Sequence, residues 1–185
     1  MKKLFSLFAV TALAVIMTGC GKKTASSSTS EETKSKGNCT VFECIKKLDS
    51  KNTVEEMNTI IGFEGELKSE TESYKVYVWE LTDDTSITSQ FMLNYNTATI
   101  SADYPSSMVP NKADFSKWDE IKSKLNKRET ITYEDFVKMV GGVEGVMDQK
   151  TNTSITYVWH NSEGGYLSAY FNPETGKCTM ATGRF

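Results

Sequence analysis

Thr53-Val54-Glu55-Glu56-Met57 running on to Ile60-Ile61-Gly62, and Thr132-Tyr133-Glu134-Asp135-Phe136 running on to Met139-Val140-Gly141, carry one pattern at two places in the 185-residue chain. One inserted glycine then sets Glu64-Gly65 opposite Glu144-Gly145, and from there the register holds at an offset of eighty. Tyr77-Val78-Trp79 falls on Tyr157-Val158-Trp159, Phe91 on Phe171 and Thr99 on Thr179. Upstream, Phe42-Glu43-Cys44-Ile45 lies opposite Trp118-Asp119-Glu120-Ile121. Self-similarity at a fixed period marks a repeated structural unit. The spacing predicts copies over 39–104 and 114–185, joined by a linker over 105–113.

Periodicity predicts the elements inside each copy. Phe42, Ile45 and Leu48, and likewise Phe115, Trp118, Ile121 and Leu125, recur at helical spacing. Thr53 and Thr132 each stand three residues before an acid, a capping-box start for a second helix. Met57, Ile60 and Ile61, or Phe136, Met139 and Val140, form its apolar stripe, and the following glycine serves as a left-handed C-cap. The remainder alternates as strands do: Lys75–Glu80, Ser86–Tyr95 and Thr97–Ala102, then Ser154–His160, Gly165–Phe171 and Lys177–Thr182. Asn94-Tyr95-Asn96 and Pro173-Glu174-Thr175-Gly176 read as turns. Each copy is thus two helices and about three antiparallel strands, an α+β unit.

Side chains of opposite parity point to opposite faces of a sheet. Leu167, Ala169 and Phe171, with Phe91 and Leu93, read as core, which turns Tyr166, Ser168 and Tyr170 the other way. Tyr77 and Trp79 oppose Val76 and Val78, and Tyr157 and Trp159 oppose Val158, so one of the two sets lies against the helices. If the valines do, the aromatics are exposed. Tyr and Trp supply large contact area at small entropic cost, which suits protein recognition. The candidate binding face is therefore Tyr77, Trp79, Tyr157, Trp159, Tyr166 and Tyr170; in the alternative reading Trp79 and Trp159 are core.

Two helices ending in a Gly-x-x-Gly-like step, followed by a strand bearing Tyr-x-Trp and a meander, resemble the tandem β-lactamase-inhibitor-protein fold. A single unit is similar to the small SmpA/OmlA outer-membrane lipoproteins. The resemblance implies two tandem helix-helix-meander repeats whose sheets join into one larger curved sheet, with helices on one face and the other face open. In the inhibitor itself that open face binds the target enzyme. The shared motifs are structural rather than catalytic, so they carry a fold before a function.

Lys2 and Lys3 precede an apolar run from Leu4 to Met17 that ends in Met17-Thr18-Gly19-Cys20. The run is shorter than the roughly 20 residues of a spanning helix, and it reads as a signal peptide over 1–19. The cysteine after Thr-Gly resembles the lipobox of bacterial lipoproteins, which implies lipidation at Cys20, anchoring to the membrane, and a location on the extracytoplasmic face. Residues 20–38, rich in Ser, Lys, Thr and Glu, read as a disordered tether.

Loss of Lys2 and Lys3 with the leader takes the formal charge from −3 to −5. With no basic stripe in the chain, a nucleic-acid partner is not expected. Beyond Cys20 the chain holds Cys39, Cys44 and Cys178, enough for one internal bridge in an oxidising compartment. Cys178 shares strand parity with Met180 and reads as core-facing, which favours Cys39 with Cys178; Cys39 with Cys44 is the local alternative. His160, the one histidine, has no nucleophile motif around it. The acids Asp83-Asp84 read as a solvated turn, and no calcium-loop spacing is present. No metal, cofactor or catalytic residue is assigned. The sequence points to a non-catalytic binding module for an envelope or secreted protein, an inhibitor among the options, with a scaffold subunit of an envelope assembly or a small-ligand sensor as alternatives.

Overall fold

The computed structural model describes residues 36–185 except Asp83, and the signal peptide, Cys20 and the tether up to residue 35 lie outside the described residues. The order of elements is α1 (Val41–Lys47), α2 (Val54–Ile61), β1 (Glu66–Glu70), β2 (Tyr74–Thr82), β3 (Thr85–Met92) and β4 (Thr97–Asp103). A short 3-10 turn at Ser106–Met108 leads to α3 (Trp118–Asn126), α4 (Tyr133–Met139), β5 (Val146–Lys150), β6 (Ile155–His160), β7 (Tyr166–Phe171) and β8 (Cys178–Arg184). The eight strands form one antiparallel sheet in sequence order. None of the described helices is long and apolar enough to cross a membrane.

Local chemistry accounts for the helices. Thr53 and Glu56 exchange capping bonds, with Glu56 N donating to Thr53 Oγ1 at 3.2 Å and Thr53 N to Glu56 Oε2 at 2.9 Å. Thr132 and Asp135 repeat the exchange at the start of α4, as the Thr-x-x-acid spacing predicts. A third box, Thr40 with Glu43, opens α1. Gly62 at φ 102° and Gly141 at φ 84° end α2 and α4 in the left-handed region, where a Cβ is strained. Phe115 differs from expectation: α3 begins at Trp118, and an Asp114–Ser116 turn, with Ser116 N donating to Asp114 Oδ1 at 2.9 Å, occupies the preceding turn.

Four strands follow each helix pair, where the alternation pattern predicts about three. β1 and β5 escape that pattern for physical reasons. All five residues of β1, Glu-Leu-Lys-Ser-Glu, are exposed, so the strand has no buried side to leave a period of two. Both strands also carry a register shift, between Leu67 and Ser69 and between Met147 and Gln149, which breaks alternation.

Two cores form. Cys44, Ile45, Leu48, Met57 and Ile61 of the first helix pair pack with Trp79, Leu81, Ile87, Ala98 and Ile100. Ile121, Phe136 and Val140 pack with Trp159, Leu167, Ala169, Phe171 and Cys178 in the second. Leu93, expected in the core, is 42% exposed; β3 ends at Met92, and Leu93 belongs to the turn into β4. Residues 36–38, assigned by composition to the tether, instead bond to the fold: Lys36 N donates to the Leu81 carbonyl at 2.9 Å and Asn38 N to that of Ile61 at 2.7 Å. The linker over 105–113 docks in a similar way, with Ala113 N donating to the His160 carbonyl at 3.0 Å and Asp114 N to that of Val140 at 3.1 Å.

Each buried tryptophan lies against a glycine. A Cβ built on Gly65 would collide with the Trp79 ring, and one built on Gly145 with the Trp159 ring. Both indole N–H groups are bonded, Trp79 Nε1 to Asn58 Oδ1 and Trp159 Nε1 to the Val143 carbonyl, each at 2.8 Å. A buried donor left without a partner costs about 1–3 kcal/mol, so glycine and acceptor together set where each ring lies. Gly65→Ala or Gly145→Ala is expected to lower the unfolding free energy by about 1–3 kcal/mol through overpacking, read from urea melts.

The capping carboxylates also make stability depend on pH. Backbone and side-chain hydrogen bonds from Thr40 hold the Glu43 carboxyl below its ordinary range. The Thr132 hydroxyl and amide do the same for Asp135, and the Ser116 amide and hydroxyl for Asp114. A group whose pKa is depressed in the folded state contributes stability above its unfolded value and loses it as pH falls through the folded one. Unfolding free energy is therefore expected to drop on acidification below the ordinary carboxylate range. A Glu43→Gln/Asp114→Asn/Asp135→Asn variant should show a shallower acid slope in melts recorded across that range.

Candidate functional site

The six candidate aromatics separate into two groups. Trp79 and Trp159, 0% and 1% exposed, are core residues, which corrects their place on the candidate binding face. Tyr77 and Tyr157 share their parity and are half-buried against the two cores. The Tyr77 ring meets Phe91 edge-on at 5.7 Å, and Tyr157 packs 4.4 Å from Tyr133. Of the two alternatives left by parity, the aromatics and not the valines lie against the helices. The Trp79 and Trp159 rings fill the space that a Cβ on Gly65 or Gly145 would take.

Tyr166 and Tyr170 face away from the cores, as the alternation of β7 requires once Leu167, Ala169 and Phe171 are buried. Tyr166 is 41% exposed and Tyr170 half-buried. Their cross-strand partners are His160 and Thr156 on β6, and Arg184 and Met180 on β8. The His160 and Tyr166 rings meet at 5.7 Å and 64°. Between the tyrosines lies a floor of small side chains, Ser168 paired with Val158 and Thr182. Ser168, Val158 and Thr156 are themselves buried, so the tyrosines stand up from a filled surface.

The same face continues through β5 to β2 as Gln149, Ser101, Thr99, Thr88, Gln90, Val76 and Val78. Gln149 Nε2 donates to Ser101 Oγ at 3.2 Å where the two halves meet. One end is acidic: Glu80, Asp84 and Asp103 line a cleft of about 510 Å³ with Val78, Thr82, Thr85, Ser86 and Tyr104. The Tyr104 hydroxyl donates to Asp148 Oδ1 at 2.8 Å. Burial first, and that bond second, push the Tyr104 phenol above its ordinary range, so it stays a protonated donor. The sequence reading does not single out Tyr104 or Asp148. One sits past the end of a strand and the other inside a β-bulge, positions where parity says nothing about direction.

The cysteines pair locally. Cys39 bonds to Cys44 across a sequence separation of 5, and Cys178 is a free, buried thiol; this corrects the expected Cys39–Cys178 bridge. Cys178 does face inward as expected, but into the second core, whereas Cys39 lies in the first; Met180, expected to share its direction, is 49% exposed because a bulge in β8 pairs Cys178 with Phe171 but Met180 with Tyr170. Burial pushes the Cys178 thiol up to about 11, its bonding to the Met180 and Tyr170 backbone opposing. A thiol protonated at neutral pH is a poor nucleophile. Cys178 is accordingly expected to resist iodoacetamide at pH 8 in the folded chain and to react once urea unfolds it, as mass spectrometry of a Cys20→Ser full chain would record.

His160 lines a second surface cleft with Ser106, Ser107, Val109, Asn111, Asn161 and Ser162. Among the described residues, no group of three or more His, Cys, Asp or Glu side chains could hold a metal ion. No protein-family profile, curated protein or solved structure matches the chain.

Proposed function

We propose that this chain is an extracytoplasmic lipoprotein, anchored to the membrane through Cys20, that binds a protein partner and has no catalytic role of its own. The observation that carries the reading is the pair Tyr166 and Tyr170, standing over the buried floor of Ser168, Val158 and Thr156 on the face turned from both cores. Aromatic side chains with polar tips over a packed, uncharged floor offer large contact area with few rotamers to freeze. The Cys39–Cys44 bridge favours an oxidising compartment, and the lipobox-like Met17-Thr18-Gly19-Cys20 favours retention at the membrane.

The duplicated-unit reading belongs to the same proposal. It is supported by two helices followed by four strands occurring twice, by capping boxes at Thr53 and Thr132 and by a tryptophan over a glycine in each half. It is also the arrangement implied by resemblance to the β-lactamase-inhibitor proteins, with helices on one face of a single curved sheet.

The test is a crosslinking pull-down from intact cells with the full lipoprotein and a Tyr166→Ala/Tyr170→Ala variant, circular dichroism confirming that both fold. One envelope or secreted protein captured by the parent and lost from the variant is the expected result. Equal capture by both, or capture by neither, overturns the assignment of this face.

A further inference from the structure

Charge is unevenly placed on the face that carries Tyr166 and Tyr170. Its first half holds acids: Glu80 and Asp103 both pair with Ser86, beside Asp84 in the acidic cleft. β6, β7 and β8 contain no Asp or Glu, in a chain with 24 of them. They carry instead a row across three adjacent strands. Tyr166 pairs with His160 on one side and with Arg184 on the other, so the three side chains share the face turned from the core. The His160 ring meets that of Tyr166 at 5.7 Å, and Tyr166 and Arg184 are exposed. Lys68, at the other end of the face, lies 2.7 Å from Glu66, whereas Arg184 forms no ion pair among the described residues. His160 also lines the cleft of about 470 Å³ with Ser106, Ser107, Asn111, Asn161 and Ser162, and no acid is among its lining residues. Glu163, the acid of the β6–β7 turn, lines a separate cleft with Phe115 and Phe185.

We propose, resting on the open-face reading, that His160, Tyr166 and Arg184 form a carboxylate-binding row, and that the protein partner docks there through a segment carrying Asp or Glu side chains. A guanidinium presents a planar fork of donors that matches a carboxylate. The phenol adds an O–H, and imidazole carries an N–H donor whether neutral or charged. Adjacent strands lie about 4.8 Å apart, so the row spans about 10 Å; same-face residues of an extended segment recur at about 7 Å, which lets two acidic side chains reach it together. The net negative charge of the chain opposes an acidic segment at long range, but at physiological salt such fields fade over about 8 Å, and the local cation decides the contact. Glu80 and Asp103 repel the same segment from the first half of the face, which fixes its position over β6–β8.

His160 is the one histidine of the chain, so its ring protons are an isolated reporter in proton–carbon NMR spectra of the full chain in neutral detergent micelles. The probes are a capped pentapeptide alternating threonine with glutamate, its glutamine counterpart, inorganic phosphate, and micelles doped with phosphatidylglycerol. The glutamate peptide is expected to shift the His160 signals saturably and the glutamine peptide to leave them in place. Arg184→Gln should weaken the glutamate peptide about two- to fivefold, the range of an exposed ion pair. Thr182→Glu, which puts an acid beside the row on the same face, should weaken it as well and serves if Arg184→Gln does not fold, as judged by near-ultraviolet tryptophan dichroism. No shift with the glutamate peptide, an equal shift with the glutamine peptide, or unchanged affinity in the folded variants overturns the proposal. So does an equal response to phosphate, which marks a small-anion site, or a response to phosphatidylglycerol alone, which marks a lipid headgroup site. In the pull-down, a protein lost from Tyr166→Ala/Tyr170→Ala but captured equally by Arg184→Gln leaves the open-face reading standing and sinks the acidic segment.

Discussion

Ile100 and Ser101 of β4 pair with Lys150 and Gln149 of β5, and among the described residues these two rungs form the strand ladder between the two halves of the sheet. Three side-chain bonds reinforce so short a seam. Gln149 reaches Ser101, the Tyr104 hydroxyl reaches Asp148, and the Lys150 ammonium donates to the Leu48 carbonyl at 2.6 Å. The last of these sets a positive charge at the end of α1, where the helix dipole favours it, and carries the first helix pair across to the second half. Without this seam there would be two small four-stranded sheets. With it, one face runs unbroken from the acidic cleft at Glu80 and Asp103 to Tyr166 and Tyr170.

The buried tryptophans decide which side of their strands meets the two cores. Each indole requires a surface without a Cβ and a hydrogen-bond acceptor, and each half supplies both. The acceptors differ: the Asn58 amide serves Trp79 and also takes the Gly65 N–H at 3.0 Å. In the second half the Val143 carbonyl serves Trp159, while the Tyr133 hydroxyl takes the Gly145 N–H at 3.1 Å. The same packing problem is thus solved twice with different groups. Once Trp79 and Trp159 are committed to the cores, Tyr77 and Tyr157 follow them by parity, and of the six candidate aromatics Tyr166 and Tyr170 alone face away from the cores.

Much of this was legible in the chain. The Thr-x-x-acid starts, the glycine stops and six of the eight strands follow from local pattern, because capping and alternation act within a few residues. Thr40-x-x-Glu43 carries the same signature as Thr53-x-x-Glu56 and could have been read as a third capping box. The two bulged strands, β1 and β5, could not be read from alternation, since a bulge erases it. The bulge in β8 exposes Met180 but leaves Cys178 facing inward; the Cys39–Cys178 bridge fails because Cys178 enters the second core while Cys39 lies in the first and bonds to Cys44.

The sequence by itself determined the α+β character, the starts and stops of α2 and α4, and the outward direction of Tyr166 and Tyr170, all of which depend on neighbours a few positions away. Tertiary structure alone decided that Trp79 and Trp159 are buried, that Cys39 pairs with Cys44, and that β4 and β5 close the two halves into one sheet. Parity leaves two faces equivalent until something distant occupies one of them. The glycines under the indoles and the helices over the strands break that equivalence, and they do so only when the chain has folded.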